Sequence, residues 1–216
     1  MEAVRVSSGI VAVTAFIDWN SQIYAASPPN SGNEIEIATY TLEYVTQKLC
    51  SGLKKIEKSN KFDVTLRIYH GWHRGFEVTP RRKALTTAAA GSSTLSNAPL
   101  ILIRPEIEFG DKLMSAAYSR LHSKLNCHVP NTLRKSLKPP YNDEEKMVDT
   151  AIAADVVDLA YRDPARWLVI VGEDDDLVPP LMVADGVRTN RDGKVVLFRQ
   201  RGDTPFFKMG DIRVAP

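Results

Sequence analysis

Apolar residues along this chain alternate between strand-like runs and helix-like periods. Residues 11–17 are almost continuously apolar and end in Asp18-Trp19-Asn20-Ser21, as expected of a first strand buried on both faces. A loop rich in Pro, Asn, Ser and Gly follows at residues 27–33. Residues 34–58 then place Ile37, Tyr40, Leu42, Val45, Leu49, Leu53 and Ile56 at largely helical spacing. Lys54, Lys55 and Lys58 fall near the carboxyl end of that helix, where cations suit its dipole. In residues 63–72, Val64, Leu66 and Ile68 alternate with Thr65, Arg67 and Tyr69, which predicts a second strand exposed on one face or lying near an edge. Leu100-Ile101-Leu102-Ile103 predicts a third. Residues 79–97, rich in Ala, Thr and Ser, predict a short helix followed by a loop.

Residues 110–140 are basic and irregular, carry His122, His128, Arg134, Lys135 and Lys138, and close on Pro139-Pro140. They are expected to form an insertion beside the site rather than a separate domain. Asn142-Asp143-Glu144-Glu145 offers an amino-terminal cap and an acidic first turn for a helix running through Tyr161. Strand 167–171, a helix over residues 177–185 and a last strand at 195–198 complete the pattern. Strands alternating with helices predict an α/β fold with a mostly parallel central sheet and helices on both faces.

Composition narrows the class. At 216 residues, 44% hydrophobic and 25% charged, the chain can bury a full core and is expected to form one domain over residues 1–216. A net charge of +2 does not announce nucleic-acid binding, so that case rests on where Lys and Arg fall. Cys50 and Cys127 match no metal or redox spacing and are expected to be reduced packing residues. No zinc signature joins the histidines to them. The apolar stretch 9–17 runs into Asp18 without a small-residue cleavage site, and no run reaches bilayer length. A cytoplasmic protein without a membrane partner is expected.

The chemistry concentrates in carboxylates. Trp167-Leu168-Val169-Ile170-Val171 is followed at once by Gly172-Glu173-Asp174-Asp175-Asp176, placing acids at the carboxyl end of a buried strand, the edge where open α/β sheets bind ligands. Asp18 closes the first strand, and Asp149 and Asp155 sit on the later helix. A parallel fold can bring the three groups together. Crowded carboxylates repel unless a cation neutralises them, and hard oxygen ligands suit Mg²⁺ or Mn²⁺, which can promote phosphodiester hydrolysis. Each residue also has a plainer reading: Asp174 or Asp176 as a helix cap, Asp155 and Asp158 as solvent-facing charges, Trp19 as packing, and Trp72 with His70, His73 and Arg74 as an amphipathic strand end. Arg81-Arg82-Lys83, Arg134-Lys135-Lys138 and Arg199 with Arg201 could frame an acidic cleft and hold phosphates. Arg134, Lys135 and Lys138 stand first, just ahead of the acidic helix.

Phe16-Ile17-Asp18-Trp19-Asn20, Glu145-Lys146-Met147-Val148-Asp149 with Asp155 following, and Val171-Gly172-Glu173-Asp174-Asp175-Asp176-Leu177-Val178-Pro179 together resemble the NYN branch of the PIN-like nucleases, over residues 11–198. The resemblance implies a Rossmann-like three-layer sandwich and Mg²⁺- or Mn²⁺-dependent endoribonuclease activity on single-stranded RNA. It implies Asp18, Asp149, Asp174 and Asp176 as catalytic metal ligands with Asp155 as a further one. Asn20 and Lys146 become substrate contacts, joined by Arg134, Lys135 and Lys138. A homodimer is compatible with it. Asn20 stands one place closer to Asp18 than the family pattern has it, and Glu173 replaces a glycine. These departures motivate the rival expectation, a catalytically inactive PIN-like module that binds RNA or protein. A phosphatase or a topoisomerase-primase-like module is a third reading, and the absence of Asp-x-Asp-x-Thr at the first strand counts against the phosphatase.

Overall fold

The computed structural model describes residues 9–29, 32–74, 77–90, 95, 96, 98–110, 133–137, 139, 143–188, 193–199 and 206–208. In chain order, β1 (Ile10–Asp18) leads straight into α1 (Trp19–Ala26), then α2 (Glu34–Ile56) and β2 (Lys61–Tyr69). A small antiparallel pair, β3 (His73–Arg74) and β4 (Glu77–Val78), precedes α3 (Pro80–Ala90), β5 (Ile101–Ile103) and β6 (Glu108–Phe109). β7 (Leu133–Lys135) pairs antiparallel with β8 (Asp143–Glu145). The chain continues through α4 (Val148–Arg162), β9 (Trp167–Val171), α5 (Val178–Val187), β10 (Val195–Phe198) and β11 (Phe206–Lys208).

The main sheet runs β11-β10-β9-β1-β2-β5, with β6 also beside β2. All pairings are parallel except β10 with β11. Counting only β1, β2, β5, β9 and β10 in chain order, the sheet reads 3-2-1-4-5, a doubly wound arrangement. Its direction of winding reverses between β1 and β9, so their carboxyl ends diverge into a crevice.

Burial explains why these segments are strands. β9 is buried at all five positions, and β1 sends Val13, Ala15 and Ile17 into one core and Phe16 into the other, the period-two division that a covered sheet requires. The first core is closed by α2 and α3 with Trp19 of α1, the second by α4 and α5. Helices therefore cover both faces of a mostly parallel sheet. Among the described residues, no helix is long and apolar enough to cross a membrane.

The start of α4 departs from expectation for a local reason. Asp143-Glu144-Glu145 is not the first turn of α4 but strand β8, in register with Lys135, Arg134 and Leu133 respectively. The backbone of these residues is taken up by pairing with β7, and α4 begins only after Met147, whose φ of 66° breaks the chain direction. β2 lies between β1 and the edge strand β5, near an edge as expected, and Asp63, Thr65 and Arg67 alternate along it as its partly exposed positions. The apolar pattern does not predict α1, β11 or the short strands β3, β4, β7 and β8. Trp19 packs in the core, and Trp72 is buried with its indole N–H donating to the Ile68 carbonyl at 3.0 Å, so neither offers a free stacking face.

Gly52 lets α2 pass close against the sheet, since a Cβ there would lie 2.4 Å from the Phe198 ring. Gly52→Ala is expected to cost about 1–3 kcal/mol through overpacking, despite alanine's better helix propensity. A urea melt showing equal or greater stability would contradict this packing.

Candidate metal centre

Asp18 ends β1 and caps α1: its Oδ1 accepts from Ser21 N–H at 3.3 Å, while Ser21 Oγ–H donates to the Asp18 carbonyl at 3.0 Å. The cap fixes the carboxylate at the mouth of the crevice beside β1. Asp149 enters from the first turn of α4. Asp174 follows β9 by way of Gly172, where a Cβ would meet Leu177 at 2.5 Å and Asp18 Cβ at 3.5 Å. Asp174 precedes the 3₁₀ turn Asp175–Leu177, yet its side chain makes no capping hydrogen bond. The plain cap reading thus fails for Asp174.

One donor oxygen from each of Asp18, Asp149 and Asp174 lies within 4.8 Å of the other two. An octahedral Mg²⁺-sized ion holds oxygens at about 2.1 Å, hence roughly 3 to 4 Å from one another. Small side-chain rotations close the difference. The donor set is three hard carboxylates without sulfur or imidazole, which fits Mg²⁺, Mn²⁺ or Ca²⁺ better than Zn²⁺.

Electrostatics points the same way. Asp18 is 5% exposed, and its pKa is pushed up to about 6, chiefly by burial, with its Ser21 hydrogen bonds opposing and Asp149 and Glu145 adding repulsion. The pKa of Asp149 is raised by burial, then by the charges of Asp174, Asp176 and Glu145. Both groups carry charge reluctantly, a strain that a bound cation relieves.

The cluster opens onto a cleft of about 580 Å³ whose walls include Asn20, Tyr24, Glu145 and Glu173. Glu173 does not crowd the acids. Its carboxylate accepts from Lys48 Nζ at 3.3 Å, and Lys48 also donates to Gln22 Oε1 at 3.3 Å. Burial lowers the Lys48 pKa while Glu173 counters it. Glu145, read from the sequence as helix, instead pairs with His70 Nδ1 and accepts from Gly71 N–H at 2.6 Å. Burial works to raise its pKa, but those partners outweigh it and hold the carboxylate low.

Other expected site residues fall elsewhere. Asp176 is exposed and outside the triad, acting on Asp149 by charge alone. Asp155 leaves the site: its Oδ2 accepts from the Tyr69 hydroxyl at 2.6 Å and lies 3.7 Å from Arg67 Nη1. It lies six positions after Asp149 on the helix, about 120° around the axis and roughly 9 Å along it. Lys146 pairs with Glu144 at 3.1 Å and lines an adjoining cleft of about 790 Å³, which Asn20 and Tyr24 share with the first. Arg134 and Lys135 lie on β7, while Lys138, Arg201, His122, His128 and Cys127 lie outside the described residues. Asp158 is exposed and bonded to Arg162. No family model, curated protein or solved structure matches this chain.

Proposed function

We propose that this chain is a divalent-cation-dependent endoribonuclease that hydrolyses single-stranded RNA, with the PIN-like fold of the NYN branch. The observation that carries the reading is the convergence of Asp18, Asp149 and Asp174, from β1, α4 and the turn after β9, on the crevice where the sheet reverses its winding. Asp18, Asp149 and Asp174 would hold Mg²⁺ or Mn²⁺. When bound, such an ion supplies charge stabilisation at a phosphoryl group and an activated water.

The chain's own residues do the rest. The Asp18 cap and the Lys48–Glu173 pair fix the first and third arms of the site before any ligand arrives. Asn20 presents an amide one residue into α1 on the shared wall of both clefts, where it can donate to a phosphate oxygen. Lys146 stands on the adjoining cleft to meet a neighbouring phosphate. A cleft of about 580 Å³ suits one backbone rather than a duplex.

The test is incubation of end-labelled single-stranded RNA with wild type and Asp174→Asn, in Mn²⁺, Mg²⁺ or chelator. Internal cleavage by the wild type alone, lost in chelator, is expected. RNA binding that survives chelation, with no cleavage under any divalent ion, would make the chain a binding module instead.

The affinity for Mn²⁺ is expected to depend on pH. Below about pH 6 Asp18 takes up a proton, and that proton competes with the cation. Calorimetric titration should find binding weaker by about tenfold or more at pH 5 than at pH 7.5. Equal affinity at the two pH values would remove Asp18 from the ligand set.

A further inference from the structure

At the end of the sheet remote from the acids, two adjoining cavities open beside the edge strand β5. One, about 410 Å³, has Phe62, Leu100 and Ile101 in its walls and Lys54, Lys55 and Lys58 on its rim. The other, about 350 Å³, shares those three apolar residues and adds Ile10, Leu102 and Lys61. Leu100 lines both. It is 49% exposed and holds a φ of 70°, a backbone state that costs a bulky residue free energy, while its carbonyl accepts from Phe62 N–H at 2.7 Å. Ile10 and Leu102 are likewise 70% and 49% exposed.

Charge on this face is one-sided. Lys54, Lys55, Lys58 and Lys61 form no ion pair among the described residues, whereas the acids beside them are engaged, Glu57 by Lys194 at 3.8 Å and Asp63 by Arg104 at 2.5 Å. The α2 dipole accounts for Lys54 and Lys55 in the last turn, but Lys58 and Lys61 lie beyond the helix. β1 spans nine residues from Ile10 to Asp18, roughly 26 Å at strand rise, so this surface is separate from the candidate metal centre.

We propose that this face docks an acidic peptide segment of a partner protein, whose apolar side chains enter the two cavities that Leu100 lines while its Asp and Glu residues pair with Lys54, Lys55, Lys58 and Lys61. Both cavities are concave, mostly apolar and of the size that accepts side chains. A nucleic acid would use the lysines but find no stacking platform, since Phe62 is 2% exposed.

The test pans a phage-displayed library of random 12-residue peptides against the immobilised full chain. Enriched clones are expected to carry large apolar residues among Asp and Glu. A fluorescein-labelled enriched peptide should bind about tenfold or more weakly to Lys54→Glu/Lys58→Glu and to Leu100→Gly. Leu100→Gly is the sharper variant, because glycine accepts this φ without strain. Its melting temperature should hold or rise while an apolar side chain lining both cavities is lost, so weaker binding cannot be put down to unfolding. No enrichment over a blank surface, enriched clones lacking acidic residues, or equal affinity for the variants would overturn the proposal. Retention of phosphatidylserine vesicles or a 12-nucleotide RNA through these lysines, with no peptide bound, would overturn it too.

Discussion

Asp18→Asn is expected to make the cation-free protein more stable at pH 7.5 while abolishing Mn²⁺-dependent cleavage. The wild-type carboxyl is buried and titrates at about 6 rather than at 3.8. Because its folded pKa lies above its unfolded one, the stability attached to this group is fully present below about pH 4 and is lost as pH rises through 6. Charging it at neutral pH therefore costs the fold about 2–3 kcal/mol. Asparagine carries no charge, and its side-chain oxygen can still accept from Ser21 N–H and cap α1. The melting temperature in chelator should rise by roughly 5–10 °C at pH 7.5, and the difference should vanish near pH 4. Added Mn²⁺ should stabilise the wild type by mass action and leave the variant unmoved. Cleavage should fall by roughly 100-fold or more, the scale of losing one preorganised charged group. A variant that melts below the wild type at neutral pH would show that Asp18 is structural.

Arg67→Ala should do the reverse. Arg67 has a side chain only 12% exposed, bonds Glu108 at 2.7 Å, faces Asp155 at 3.7 Å and lies over the Phe16 ring at 5.5 Å. Removing it leaves Asp155, itself 8% exposed, with the Tyr69 hydroxyl as its hydrogen-bond donor. The pKa of Asp155 is already raised by burial, with Tyr69 and Arg67 opposing, so losing the cation pushes it further. Breaking a buried pair from one side costs about 3 kcal/mol or more, which a urea melt would register. Mn²⁺ affinity of the folded variant should stay within about twofold of the wild type, since the network lies off the cation site. A fall in affinity without a fall in stability would return Asp155 to the metal centre.

The parallel sheet was legible because its strands are buried on both faces: residues 11–17 and 167–171 are apolar whatever packs against them. The same pattern exposed Asp18 and Asp174, since strand ends converge on one edge of a parallel sheet. Asp155 was not separable from Asp149 by motif alone; the helix phase separates them. Residues 143–145 are ambiguous in sequence for a different reason. Three consecutive acids serve a helix's first turn or one side of a strand pair equally well, and only the facing segment Leu133–Lys135 decides. Lys48 and Glu145 were invisible as site residues, being one lysine of an amphipathic helix and one acid of a charged run, and they acquire roles only through Glu173 and His70.

Every functional step above depends on three carboxylates sharing one cation. Crystals of the wild-type protein soaked in millimolar Mn²⁺ and measured for anomalous scattering address that directly. A single strong peak is expected among Asp18, Asp149 and Asp174, about 2.1–2.3 Å from an oxygen of each. No peak there, or a peak elsewhere without Asp18 among its ligands, would contradict it.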